Sequence, residues 1–153
     1  MTAKEYLNRI SVLEDEIKRK QQRCRTLRDV AMNTSVNNSN DVVQTTRDKN
    51  PLEKILTKVI DLDREIEADE ARLVDLKAEV WEQLDKLTDE RHKRILWIHY
   101  AERKTWNKVA GEMYVSRRHM LRLHKDALDE FDKILKLSPL CHPNVILMSP
   151  PPM

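Results

Sequence analysis

A chain of 153 residues with one glycine, 35% charged and 5% aromatic residues excludes a sheet-rich fold, because strands need β-branched and aromatic enrichment with glycine at their tight turns. The composition predicts an all-α protein with room for one domain plus an accessory element, or for two small helical units. The net charge of +2 hides strong local imbalance. No apolar run approaches the roughly 18 residues of a membrane span, and residues 1–10 lack a signal-peptide core, so a soluble cytoplasmic protein with no membrane partner is expected.

Across residues 3–31, apolar or small side chains recur in alternating steps of three and four: Ala3, Tyr6, Ile10, Leu13, Ile17, Cys24, Leu27 and Ala31, interrupted by Lys20. This heptad spacing lines up a narrow apolar stripe that needs a partner helix to cover it. After Asn50-Pro51, where proline suits a first helical turn, a second series runs through Leu52, Ile55, Val59, Leu62, Ile66, Leu73, Leu76, Val80 and Leu87, interrupted by Asp69 and Gln83. The two stripes predict an antiparallel helical hairpin, a coiled coil occupying residues 1–87. Charge favours the pairing, with eight bases and five acids in residues 1–32 against six bases and eleven acids in residues 51–87. That attraction is modest and salt-dependent. Residues 33–50, rich in Asn, Ser and Thr, carry no stripe and are expected to form a polar loop. The acids of residues 61–70 read as a solvated helix face.

Thr88 or Asp89 can cap a third helix, whose apolar face is Leu87, Ile95, Leu96, Ile98 and Tyr100 and which ends within residues 101–104. Thr105 then caps a short helix reaching about Met113. A tight Met113-Tyr114-Val115 turn follows, and Ser116 caps a last helix with the stripe Met120, Leu123, Ala127, Leu128, Phe131 and Leu135, stopped by Ser138-Pro139. Small Ala110 stands where two helices must touch, and Val109, Val115, Met120 and Leu123 can face one core. That is the sequence form of a helix-turn-helix, whose second helix enters the DNA major groove. Residues 88–137 are therefore expected to form a DNA-binding domain, and residues 138–153 a disordered proline-rich tail.

Between residues 103 and 125, seven bases (Arg103, Lys104, Lys108, Arg117, Arg118, Arg122 and Lys125) stand against the single acid Glu112. Such a local excess is the electrostatic footprint of phosphate binding, although a solvated basic face has the same composition. With Ser116 as cap, Arg117, Arg118 and His119 fall in the first turn of the reading helix, with Arg122 one turn further and Lys125 beyond it. Arginine there can contact guanine through two hydrogen bonds. Arg103, Lys104 and Lys108, at the start of the preceding helix, suit phosphate contacts that set affinity without reading sequence.

Trp106, at helical spacing from Val109, Ala110 and Met113, reads as core; Trp97 reads as cover for the hairpin junction, and Trp81 as half-exposed or an interface anchor. His124 reads as a packing residue or a phosphate contact. His92, His99, His119, His124 and His142, with Cys24 and Cys141, have no ligand spacing, so no metal or other cofactor is expected and both thiols are read as reduced. No phosphate-cradling glycine loop or nucleophile elbow is present, and no enzyme is expected.

Residues 87–135 resemble the promoter-binding region four of sigma factors through Leu87, Glu90-Arg91, Ile95-Leu96, Tyr100, Trp106, Val109-Ala110, Met113, Ser116, Met120, His124 and Ala127-Leu128. With the acidic coiled-coil helix before them, residues 96–100, 106–116 and 122–128 are more specifically similar to the ArpU and RinA type sigma-like regulators of phages and prophages of Gram-positive bacteria. The resemblance implies a sequence-specific regulator acting on double-stranded DNA in the bacterial host cytoplasm, with its coiled-coil arm forming a homodimer or contacting RNA polymerase. Two positions depart from that pattern. His99 stands where such proteins often have Arg, and Tyr114 takes a turn position usually given to Gly, where a positive φ costs a residue with a side chain. Two other functions fit the same elements: a phage packaging component of small-terminase kind, against which the order of the elements speaks, and a protein interaction module, against which the basic excess speaks.

Overall fold

In a computed structural model of the chain, the structure describes residues 1–38 and 51–137, and no strand occurs among them. The protein is all-α. Helices α1 (Ala3–Asn38) and α2 (Pro51–Leu84) are followed by α3 (Glu90–Leu96), which runs on into a π-helical turn (Trp97–Ala101), and then by α4 (Trp106–Met113) and α5 (Arg117–Leu137). The expectation for residues 138–153 lies outside the described residues, as does that for residues 39–50. The expected loop start at residue 33 is corrected, because α1 continues to Asn38. Adding a residue to an existing helix gains a backbone hydrogen bond, and the Thr34 hydroxyl satisfies itself on the Val30 carbonyl (2.8 Å) without breaking the helix.

The chain divides into two compact units, Leu13–Val74 and the described residues of Met1–Val12 with Asp75–Met153. In the unit Leu13–Val74, α1 and α2 pair antiparallel along the expected stripes. Leu13, Ile17, Cys24 and Ala31 from one helix, and Val59, Leu62 and Ile66 from the other, are buried. The two polar interruptions meet: Lys20 Nζ lies 2.5 Å from Asp69 Oδ2, with Glu65 at 3.5 Å and Glu16 at 3.6 Å. Hydrogen bonding from Lys20 holds the Asp69 carboxyl below its ordinary range. Sliding either helix would part the buried Asp69 from Lys20 and leave it only the exposed Arg72 of its own helix (3.3 Å), so the pair opposes register slippage. The buried Cys24 thiol donates to Asp63 Oδ1 (3.3 Å), while Arg28 donates to the other carboxylate oxygen, Oδ2 (2.7 Å), and burial raises the thiol pKa.

The other unit is wider than the expected domain at residues 88–137, because it includes residues 1–12 and 75–87. The α5 stripe of Met120, Leu123, Ala127, Phe131 and Leu135 is buried together with Ile95, Leu96 and Val109, and so are Leu7 and Leu84, which lie off the heptad seam. The Tyr6 ring meets Phe131 edge-on at 5.8 Å, and the Ala3 amide donates to Asp132 Oδ1 (2.5 Å). Burying a Phe or Leu side chain stabilises by about 1.5–3 kcal/mol, so these side chains anchor the first turns of α1 in the unit. Asp89 caps α3 by accepting from the Arg91 amide (2.9 Å). Glu130 on α5 accepts from the Thr88 amide (3.0 Å) and hydroxyl (2.8 Å) and meets His92 Nδ1 (2.6 Å). The Thr88 amide bond is the chief cause of its lowered pKa.

Candidate nucleic-acid interface

The approach to the helix-turn-helix is set by backbone geometry. In the π-helical turn the Glu102 amide donates to the Trp97 carbonyl (3.1 Å), and Arg103, at φ 55°, reverses the chain so that the Lys104 amide reaches the Ile98 carbonyl (3.2 Å). Thr105 occupies the cap position of α4, as expected, but its hydroxyl makes no capping bond. Helix α4 ends on Tyr114, at φ 54° and ψ 39°. The Val115 amide returns to the Ala110 carbonyl (3.2 Å), closing a Schellman-type end that normally favours glycine. Tyr114 adopts the left-handed conformation nonetheless, and its side chain is 93% exposed. Ser116 Oγ accepts from the His119 amide (3.2 Å) and starts α5.

Helix α5 then separates its residues cleanly. Met120, Leu123 and Ala127 point inward, while Arg117, Arg118, His119, Arg122 and Lys125 are all exposed. None of these five side chains has a hydrogen-bond or ionic partner among the described residues. Leu121, 44% exposed, sits within this basic surface and was not singled out in the sequence. Lys108 on α4 is exposed and likewise lacks a partner among the described residues. Lys104 differs: its Nζ lies 2.5 Å from Glu112 and 2.8 Å from Glu102, and these carboxylates raise its pKa, Glu102 first. The one acid of the basic segment is thus engaged by Lys104 rather than by a base of α5.

Behind the basic face lies an aromatic cluster that sequence reasoning missed. His99 stacks on Trp106 with ring centroids 3.5 Å apart and 16° between planes. Its Nδ1 donates to the Lys104 carbonyl (3.0 Å), which fixes the tautomer. Tyr100 Oη lies 3.0 Å from His124 Nε2, and Trp106 meets His124 edge-on at 4.6 Å. Burial, with smaller effects from His99 and Lys4, lowers the His124 pKa to about 4. His124 is therefore uncharged near neutral pH and packs in the cluster, in line with its reading as a packing residue. Trp106 is half-buried and stacks on His99 rather than filling the core, so the His99 imidazole has a structural role here. Trp97 meets Trp81 edge-on at 5.0 Å, with Trp81 47% exposed. Among the described residues no three His, Cys, Asp or Glu side chains could hold a metal ion, and no helix is long and apolar enough to cross a membrane.

These features define a class, an all-α protein in which a helix-turn-helix presents an unpaired basic helix face. The chain belongs to the DUF1492 family, described as proteins of unknown function, which matches residues 32–132. No curated protein and no solved structure matches the chain.

Proposed function

We propose that the protein is a sequence-specific regulator of transcription of the phage or prophage sigma-like kind, binding double-stranded DNA with α5 in the major groove. The observation that carries this reading is the row of partnerless basic side chains on the outer side of the Ser116-capped helix, directly after a left-handed turn. An internal surface would answer those charges with carboxylates, as Lys104 is answered by Glu112. Arg117, Arg118 and His119 at the helix start read base edges, with Arg122 and Lys125 following along the groove. Leu121 suits the methyl group of thymine. Lys108 takes a backbone phosphate and sets affinity, a role that Lys104 fulfils less well with its charge already paired. The α1–α2 arm serves assembly, joining two chains in a homodimer, with RNA polymerase as a further partner. The protein acts in the host cytoplasm by binding, without a cofactor and without catalysis.

Duplex binding measured against salt tests the reading. Neutralising three to five phosphates gives a log–log slope of about −3 to −5. Lys108→Ala should weaken every duplex alike, whereas Arg117→Ala with Arg118→Ala should remove preference among sequences. A slope near zero, or equal losses on all duplexes from both sets of substitutions, would refute the assignment.

A further inference from the structure

We propose that the Leu13–Val74 unit docks side by side with the same unit of a second copy of this chain, forming a four-helix bundle whose two-fold axis runs along the helices. One residue past successive seam positions, α1 carries Lys18, Arg25 and Met32, and α2 carries Ile60, Glu67 and Val74, each set spaced by seven. One residue turns about 100° around a helix, so each set forms a line well off the hairpin seam. All six are exposed, Met32 by 70%, Ile60 by 53% and Val74 by 68%, and the three charged ones have no partner among the described residues. Both lines border one side of the hairpin. The in-chain pairs Arg28–Asp63 (2.7 Å) and Gln21–Glu70 (3.4 Å) bridge α1 and α2 on that side, each of the four also following a seam position.

Apolar residues recurring beside a filled seam mark a helix with two neighbours rather than one. Charge selects the second neighbour. The α1 line is basic, with Met32 at its end, and the α2 line is acidic in the middle, with apolar residues on either side. A two-fold axis along the helices sets α1 of one copy beside α2 of the other, antiparallel and at the same level as within the hairpin. Arg25 then falls opposite Glu67 of the second copy, Met32 opposite Ile60, and Lys18 opposite Val74 with Glu70 adjacent. A two-fold axis across the helices would instead set α1 on α1 and α2 on α2, opposing like charges. The matching stretch is about 30 Å long, enough to bury on the order of 1,200 Å² in total, at the lower end for a specific interface.

The inference deepens the homodimer within the proposed function and rests on that reading for its biological use. Its test contains no DNA, so either can fail while the other stands. Sedimentation equilibrium of the full chain should give a dimer at concentrations of about 10–100 µM. Arg25→Glu or Glu67→Arg alone should weaken it about tenfold or more, since each opposes like charges twice across the axis. An equimolar mixture of the two variants should regain wild-type affinity, because the mixed dimer restores two opposite pairs. Ile60→Asp with Val74→Asp should give a monomer with unchanged helicity. A monomeric wild-type chain, a dimer insensitive to these substitutions, or a mixture no tighter than its parents would overturn the proposal.

Discussion

The same two helices carry off-seam apolar residues in two regions, and among the described residues only one region fully buries any of them, although Val12 (61%) and Trp81 (47%) stay exposed there too. In the unit containing the helix-turn-helix, Leu7 and Leu84 are fully buried; in the Leu13–Val74 unit, Met32, Ile60 and Val74 stand 53–70% exposed. The difference follows from what else is packed there. The first unit adds α3, α4 and α5, giving Leu7 and Leu84 a third layer, whereas the described residues of the second belong to α1 and α2 alone. An apolar residue beside the heptad seam is therefore buried where a further layer reaches it, as at Leu7 and Leu84, and left exposed among the described residues where none does.

The sharpest way to break this comparison is truncation on both sides of it. Leu84→Ala should destabilise its unit by about 2–5 kcal/mol, because it empties a closed site. Val74→Ala should change the stability of the monomer by less than about 0.5 kcal/mol, as for other exposed positions. Urea denaturation of both variants in dilute solution measures the two costs, and equal losses would mean that Val74 is already covered within one chain.

Acidification should separate the regions next. The folded pKa of His124, about 4, lies below its ordinary 6.5, so between these values the unfolded chain binds a proton that the folded chain refuses. Stability from this group is complete above pH 6.5 and is lost as the pH falls towards 4. Burial lowers His99 in the same direction. No histidine lies in residues 13–74, whereas Trp81, Trp97 and Trp106 all belong to the helix-turn-helix unit, so tryptophan fluorescence follows the sensitive region alone. The stability read from fluorescence-followed denaturation should fall from pH 6.5 to pH 5, and His124→Gln should flatten that slope. An unchanged slope in the variant would remove His124 as its source.

The smallest effect concerns the turn. Tyr114→Gly should raise stability by about 0.5–1 kcal/mol, since glycine accepts the left-handed conformation freely and the tyrosine ring packs on little. A loss on that substitution, read from the same denaturation curves, would reveal a contact made by the exposed ring.

Much of this fold was legible because it depends on local periodicity. The stripes predicted the hairpin, and Lys20 and Asp69, which looked like defects in each stripe, are one ion pair. Ser116 and the outward basic residues of α5 could likewise be read from position in a helical turn. The start of the helix-turn-helix could not. The pairing of Lys104 with Glu112 requires the chain reversal at Arg103, and nothing local marks Arg103 for a positive φ. The stacking of His99 on Trp106 depends on the π-helical turn, one residue wider than the helical spacing assumed from sequence. Leu7 and Leu84 offered an overlooked signal, as apolar residues beside the seam at the ends where a third layer lies.

The central claim is that the unpaired face of α5 reads DNA sequence, and selection of binding sites from a random duplex library tests it most directly, with the Arg117→Ala/Arg118→Ala variant run in parallel. The wild-type protein should enrich one short motif and the variant none, while both retain salt-dependent binding to duplex. Failure of the wild-type protein to enrich any motif, or enrichment of the same motif by the variant, would contradict it.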